Sequence, residues 1–223
     1  LIFLHKIARR AVKQRTIKRD PFAGYKLESV PVNHRYLTGE QFAKLTGVEL
    51  PTYRLCHARD LFVFSTFTGL GRADLANLTS ENIVTEPDGS RWIHIERQKT
   101  KAECHIKLLD IPSRIIDKYK GEGKDGKLFF VPATSSLCRS LKMIEEQCKL
   151  GCHLTFYMAR HSFATLICLG NGVPIETISR MMGHSSIRTT QIYAEITNQK
   201  VNRDLLRLAD TTKNQYSLPD DKM

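Results

Sequence analysis

Hydrophobic positions change period several times along the chain, and each change marks a predicted element. Leu4, Ile7, Ala8 and Ala11 recur at helical spacing until Asp20-Pro21 and Gly24 end the pattern, which predicts one helix followed by an extended linker through Pro31. Thr38-Gly39-Glu40-Gln41 has the form of a capping box ahead of Phe42, Ala43 and Leu45. Residues 58–67 are predominantly apolar, the mark of a buried central helix; Gly69 and Gly71 interrupt it before Ala73, Leu75, Ala76 and Leu78 resume a helical pattern. The period then drops to two in Arg91-Trp92-Ile93-His94-Ile95-Glu96-Arg97. Residues 104–111 supply a second extended run, so a β-hairpin with Lys99-Thr100-Lys101 near its tip is predicted.

Pro112 opens a short helix, and residues 126–131 form a brief buried strand or extended piece. From there the chain reads helical. Leu137, Leu141, Ile144 and Cys148 make one stripe, and Thr155 caps a helix ending at Gly170-Asn171-Gly172. Pro174 starts another that ends at Gly183, with Pro at the first turn and Gly just past the last. A final helix carries Val201, Leu205 and Leu208, and the polar tail after Asp210 is predicted to be mobile. The fold class is therefore α+β: mainly helical, with a small antiparallel β-sheet packed to one side. Four segments are expected: a helix in 1–20, a linker in 21–36, one domain in 37–210 and a tail in 211–223.

At 223 residues with 41% hydrophobic content, the chain has enough apolar side chains for one large core. Its formal charge of +11 favours a polyanionic partner, and basic residues crowd the opening segment. Nucleic acid fits better than a membrane, because no apolar run approaches a transmembrane length and no anchor signal is present. Leu1-Ile2-Phe3-Leu4 looks like the start of a signal sequence, but the run stops at His5 with no cleavage site after it; with no initiator Met, the chain reads as a piece of a larger protein. The six cysteines lack the spacing of a disulfide framework, which predicts reduced thiols and a cytoplasmic location. Cys148, Cys152 and His153 cluster without a fourth ligand, so packing is the better reading than a metal site.

The chemistry-bearing residues lie late in the chain. Tyr193 follows His184 in Met182-Gly183-His184-Ser185-Ser186-Ile187-Arg188-Thr189-Thr190-Gln191-Ile192-Tyr193, downstream of Ala159-Arg160-His161-Ser162-Phe163-Ala164-Thr165. A phenol, an imidazole and a guanidinium are the parts with which a metal-free enzyme acts on a phosphodiester. The nucleophile attacks phosphorus in line, cations hold the non-bridging oxygens, and an acid protonates the departing oxygen. A phenol with its ordinary pKa of about 10 is protonated near neutrality, so a base or an electropositive pocket is needed.

These motifs, in this order and spacing, resemble the catalytic domain of the tyrosine recombinases of the phage-integrase family, over about residues 37–210. The resemblance implies that Tyr193 is the nucleophile, Arg160 the second phosphate-binding arginine and His184 a hydrogen-bond donor to the scissile phosphate. Lys99, in Gln98-Lys99-Thr100, matches the hairpin lysine that protonates the leaving 5′ oxygen, with Lys101 as the alternative. Two positions depart from the family pattern. Its first arginine directly follows Thr-Gly-hydrophobic, whereas Thr68-Gly69-Leu70 is followed here by Gly71, with Arg72 one place later; one residue is a helical turn of about 100°. Arg72 is therefore either the catalytic arginine or a structural ion-pair partner of Asp74 or another acid. Tyr157 stands where the family carries a histidine. It positions the phosphate in that histidine's place, or His153 or His161 compensates, or the enzyme is slow.

The resemblance also implies that residues 1–20 close a truncated core-binding domain, and that the two domains clamp duplex DNA. Site-specific recombination through a 3′-phosphotyrosine intermediate, for integration or excision of a mobile element, is the expected activity, with no cofactor. The expected partners are attachment-site DNA, other subunits in a synaptic tetramer and accessory DNA-bending proteins, with no membrane. The alternatives are a catalytically impaired DNA-binding relative, argued by Gly71 and Tyr157, and a type IB topoisomerase, against which the motif spacing argues.

Overall fold

A computed structural model describes residues 2–25, 36–98, 100–193, 205–206 and 208–211. The chain divides into two compact units, Leu1–Asn33 and His34–Met223. In the smaller unit, helix α1 (Ile2–Lys13) follows the predicted apolar spacing and buries Ala8. The chain after it is not simply extended: the Phe22 ring stacks on His5 at 4.6 Å, and the Phe22 N–H donates to Asp20 Oδ1 at 2.9 Å, so the segment turns back on its own helix. The rest of the expected linker, residues 26–35, lies outside the described residues.

The larger unit opens with α2 (Gly39–Gly47), where the capping box forms as its sequence predicts: Thr38 Oγ1 accepts from Gln41 N–H, and the Gln41 side chain accepts from Thr38 N–H. Helix α3 (Tyr53–Thr68) is buried nearly all round, through Leu55, Ala58, Leu61, Phe62 and Phe64, and takes the central position. Its buried hydroxyls need partners, and Thr66 and Thr68 find them in carbonyls one turn back. The helix stops at Gly69, which adopts the left-handed conformation (φ 66°). A Cβ there would lie 2.5 Å from the Phe163 ring, so both backbone and packing demand glycine. Helix α4 (Arg72–Asn77) follows at once.

The sheet is three-stranded and antiparallel in the order β1 (Ile83–Thr85), β2 (Arg91–Glu96), β3 (Glu103–Lys107). Ile93 pairs with Ile106, both fully buried, while Trp92, His94, His105 and Lys107 occupy the opposite face. Strand β1 has too few residues to show alternation in sequence. Residues 126–131 take the extended alternative: Lys127 makes one bridge with Thr79, and the Leu128 N–H donates to the Leu78 carbonyl.

Helix α5 (Asp110–Lys118) begins two residues before Pro112. Helix α6 (Thr134–Cys148) buries the whole predicted stripe of Leu137, Leu141, Ile144 and Cys148. The helix predicted from Thr155 changes winding along its length: α7 (Phe156–Ser162) passes into a π-helical stretch, Phe163–Cys168, and then a tight 3-10 turn, Leu169–Asn171. Helix α8 (Ile175–Met182) runs from Pro174 to Gly183, and the short α9 (Arg188–Gln191) leads to Tyr193. Of the predicted final helix, Val201 lies outside the described residues, and Leu205 and Leu208 are helical and exposed. Among the described residues no helix is long and apolar enough to cross a membrane, and His153 faces Glu145 at 3.4 Å.

A buried carboxylate ties α3 to α5. Asp60 accepts from Lys118 Nζ at 2.6 Å, Tyr119 Oη at 2.8 Å and Arg59 Nε at 2.9 Å. Burial works against its charge, yet the hydrogen bonds from Lys118, Tyr119 and Arg59 outweigh burial and hold the carboxyl below its ordinary value. The stability it contributes is thus present above the ordinary carboxylate range and is lost as pH falls through the depressed folded value. Asp60→Ala should cost about 2–4 kcal/mol in denaturant unfolding, by stranding the buried partners. Asp60→Asn should flatten the acid limb of the stability profile; an unchanged acid limb would count against this hub.

Candidate active site

The last turn of a helix leaves carbonyls without intrahelical partners. At the end of α8, side chains from elsewhere reach four successive carbonyls, the first of which also accepts the Gly183 N–H. Cys104 Sγ reaches the Arg180 carbonyl at 3.7 Å, Arg97 Nη2 the Met181 carbonyl at 3.0 Å, Arg160 Nη2 the Met182 carbonyl at 2.7 Å, and Thr100 Oγ1 the Gly183 carbonyl at 3.0 Å. Gly183 ends the helix in the left-handed conformation (φ 63°), and the His184 N–H closes back on the Ser179 carbonyl. A Cβ at Gly183 would sit 2.5 Å from Cys104 Sγ and 2.7 Å from Arg97 Cγ, so glycine lets the sheet approach this turn.

The two arginines also meet at the end of α3. Arg160 Nη1 donates to the Gly69 carbonyl, and Arg97 Nη1 approaches the same oxygen at 3.5 Å. Arg97 is buried and pairs with Asp74 Oδ2 at 3.0 Å, while Asp74 Oδ1 accepts the Gln98 N–H at 3.0 Å. Of the two guanidinium groups only Arg97 pairs with this carboxylate, while Arg160 binds carbonyls, which makes an electropositive floor. Burial, with the neighbouring Arg97 second, lowers the Arg160 pKa from its ordinary value.

Above that floor lie the imidazole and the phenol. His184 Nε2 is 3.0 Å from Arg160 Nη2, and Nδ1 is 2.8 Å from Thr190 Oγ1. Burial, then Arg160 and Arg97, push the His184 pKa down to about 4, so the ring is neutral near neutrality. Tyr193 is only 4% exposed, its ring parallel to His184 at 6.2 Å and edge-on to His161 at 4.8 Å. Burial and then Tyr157 raise its pKa to about 12, against the lowering pull of Arg160. Tyr157 is 60% exposed and packs edge-on to His161 at 4.5 Å.

The structure therefore brings together Arg160, His184, Tyr193 and Tyr157 of the residues singled out in the sequence. Arg72 stands apart. It begins α4, its Nη1 reaches the Pro132 carbonyl at 3.4 Å, and the Asp74 partnership considered for it belongs to Arg97. Lys99 lies outside the described residues, and Lys101 pairs with Glu96 at 3.2 Å on the surface. Arg97, Thr100 and Thr190 were not singled out in the sequence. Arg97 had a legible signal: it shares its strand parity with Ile93 and Ile95, and an arginine on the inward face requires a buried partner.

A model of the phage integrase family matches residues 35–200. The chain is 28% identical over 149 residues to tyrosine recombinase XerA of Saccharolobus solfataricus, covering 66% of this chain and 49% of that protein. It is 29% identical over 174 residues to XerA of Thermococcus onnurineus, covering 72% and 58%. The chain thus spans about half the length of the curated relatives it matches. In fold it is similar to a lambda integrase dimer bound to a COC′ core site, with TM-score 0.69 and 18% identity over 88% of this chain and 71% of that one. It is likewise similar to a XerA recombinase crystal structure, with TM-score 0.63 and 19% identity over 92% and 83%.

Because burial first and then the neighbouring Tyr157 raise the Tyr193 pKa, Tyr157→Phe should lower it from about 12. NMR titration of protein with labelled tyrosine reads this directly, and an unmoved or higher value would contradict the arrangement.

Proposed function

Since the chain belongs to the phage integrase family, we propose that it serves as a tyrosine-type site-specific DNA recombinase that cleaves and rejoins duplex DNA through a 3′-phosphotyrosine link. The observation that carries this reading is the gathering of Tyr193 against His184, whose Nε2 lies 3.0 Å from Arg160, beside the buried Arg97. A phosphodiester bound there is held by its non-bridging oxygens against the arginines. Tyr193 Oη attacks phosphorus as the phenol gives up its proton to solvent, and the bond to the 5′ oxygen breaks. Lys99, which follows the Asp74-anchored Arg97 and Gln98, protonates that oxygen. A 5′ hydroxyl of a partner duplex then attacks the phosphotyrosine and releases Tyr193. No metal or nucleotide cofactor enters this scheme.

Arg97 takes the supporting place that the family pattern gives to an arginine at Gly71. Its guanidinium backs Arg160 through the shared Gly69 carbonyl and adds positive charge beneath the phosphate. Tyr157, exposed and packed on the His161 ring that Tyr193 also packs against, orients the nucleophile and the phosphate. The overall charge of +11 supports salt-sensitive binding to DNA. Integration or excision of a mobile element within the cytoplasm, by subunits assembled as a synaptic tetramer on two attachment sites with DNA-bending accessory proteins, is the proposed setting. A DNA-binding relative that no longer cuts is the second reading, favoured by the burial and raised pKa of Tyr193.

A nicked suicide duplex carrying the attachment site separates the two. The recombinase reading expects a covalent protein–DNA adduct that Tyr193→Phe abolishes; DNA-bound, folded protein without an adduct would sink it. In the same assay Arg97→Met should slow cleavage about a hundredfold, whereas Arg72→Ala should stay within about threefold of the parent. The reverse order would return the phosphate role to Arg72.

A further inference from the structure

The neutral His184 ring carries one proton, and its neighbours fix where that proton sits. A guanidinium has donors only, so the Nε2 atom 3.0 Å from Arg160 Nη2 is the bare acceptor. The proton therefore lies on Nδ1, which donates to Thr190 Oγ1 at 2.8 Å. Thr190 is fully buried, and its carbonyl accepts the Tyr193 N–H at 3.0 Å, so one residue holds both the imidazole and the turn that carries the phenol.

This tautomer is the wrong one for a bound phosphate. Nε2 is the ring atom on the Arg160 side, and without a proton it repels a phosphate oxygen. A carbonyl at the Thr190 position would only accept, and would lock the proton on Nδ1. A hydroxyl both accepts and donates. We infer that Thr190 is a positioning residue that holds His184 in either tautomer, accepting from Nδ1–H in the free protein and donating to bare Nδ1 once a phosphate engages Arg160. In the second state Nε2–H donates to a phosphate oxygen. The exchange balances: one proton leaves Nδ1 to water, one arrives at Nε2 from water, and the hydroxyl turns its own proton toward Nδ1. The competing route is a doubly protonated ring, and burial with Arg160 and Arg97 nearby opposes that charge. The inference rests on the reading of this cluster as a phosphate site.

The test follows the His184 ring nitrogens and the Arg160 side chain by NMR, in the absence and presence of inorganic phosphate, for the parent, Thr190→Ser and Thr190→Val. The expected result is a ring proton on Nδ1 in the free parent and on Nε2 with phosphate, with Thr190→Ser behaving alike. Thr190→Val, which keeps the shape but neither donates nor accepts, should bind phosphate about tenfold more weakly. If phosphate shifts the Arg160 signals while the His184 proton stays on Nδ1, the tautomer role is overturned and the phosphate site survives. If the valine variant matches the parent in tautomer and affinity, Thr190 has no such role. If phosphate leaves Arg160 unmoved, the phosphate-site reading falls and this inference falls with it. Should the valine variant fail to fold, the parent and serine measurements decide the matter alone.

Discussion

Every element of the site depends on how the C-terminus of α8 is capped. Its carbonyls need donors, and besides those of the Gly183-His184 turn they receive them from Arg97 and Thr100 between β2 and β3, from β3 and from α7. Each capping side chain thereby ties a remote segment to the Gly183-His184 turn. The same two arginines reach the Gly69 carbonyl at the end of α3, so the central buried helix, the sheet and the Gly183-His184 turn are held by one set of bonds. Glycine at positions 69 and 183 makes this possible, because a side chain at either place would collide with Phe163 or with Cys104 and Arg97.

The electrostatics follow from that geometry. Arg97 and Arg160 stand together in a desolvated place, with Asp74 paired to Arg97, and burial first, then this positive charge, keeps His184 neutral and lowers the Arg160 pKa. Tyr193 feels the opposite contest: burial and Tyr157 raise its pKa while Arg160 lowers it, and the raising side wins. The phenol is thus held protonated beside the arginines. On the proposed reading, a phosphodiester bound there would draw the arginines toward itself and couple substrate binding to activation of the nucleophile.

Much of the scaffold was legible from local patterns. The capping box at Thr38, the buried stripe of α6 and the Pro174-to-Gly183 frame of α8 all depend on residues within a few turns of each other. Strand β1 was not legible, because three residues carry no alternation, and β1 exists through its pairing with β2. The π-helical stretch after Ser162 was likewise hidden: its residues read as ordinary helix, and the change of winding shows only in the folded backbone. Arg72 illustrates the limit of motif spacing. A displacement by one residue turned its side chain toward Pro132, and an arginine from the hairpin entered the space instead.

By itself the sequence determined the family and most of the helices, and it singled out the phenol, the imidazole and the arginine as candidates, because those lie in contiguous motifs whose spacing is set by helical turns. Only the tertiary structure decided that Arg97 rather than Arg72 lies beside Arg160, that Thr190 partners His184, and that Tyr193 is buried. These are contacts between segments far apart in the chain. Which side chain fills a shared pocket depends on the packed positions of helix ends and strands, a property that no local window of sequence contains.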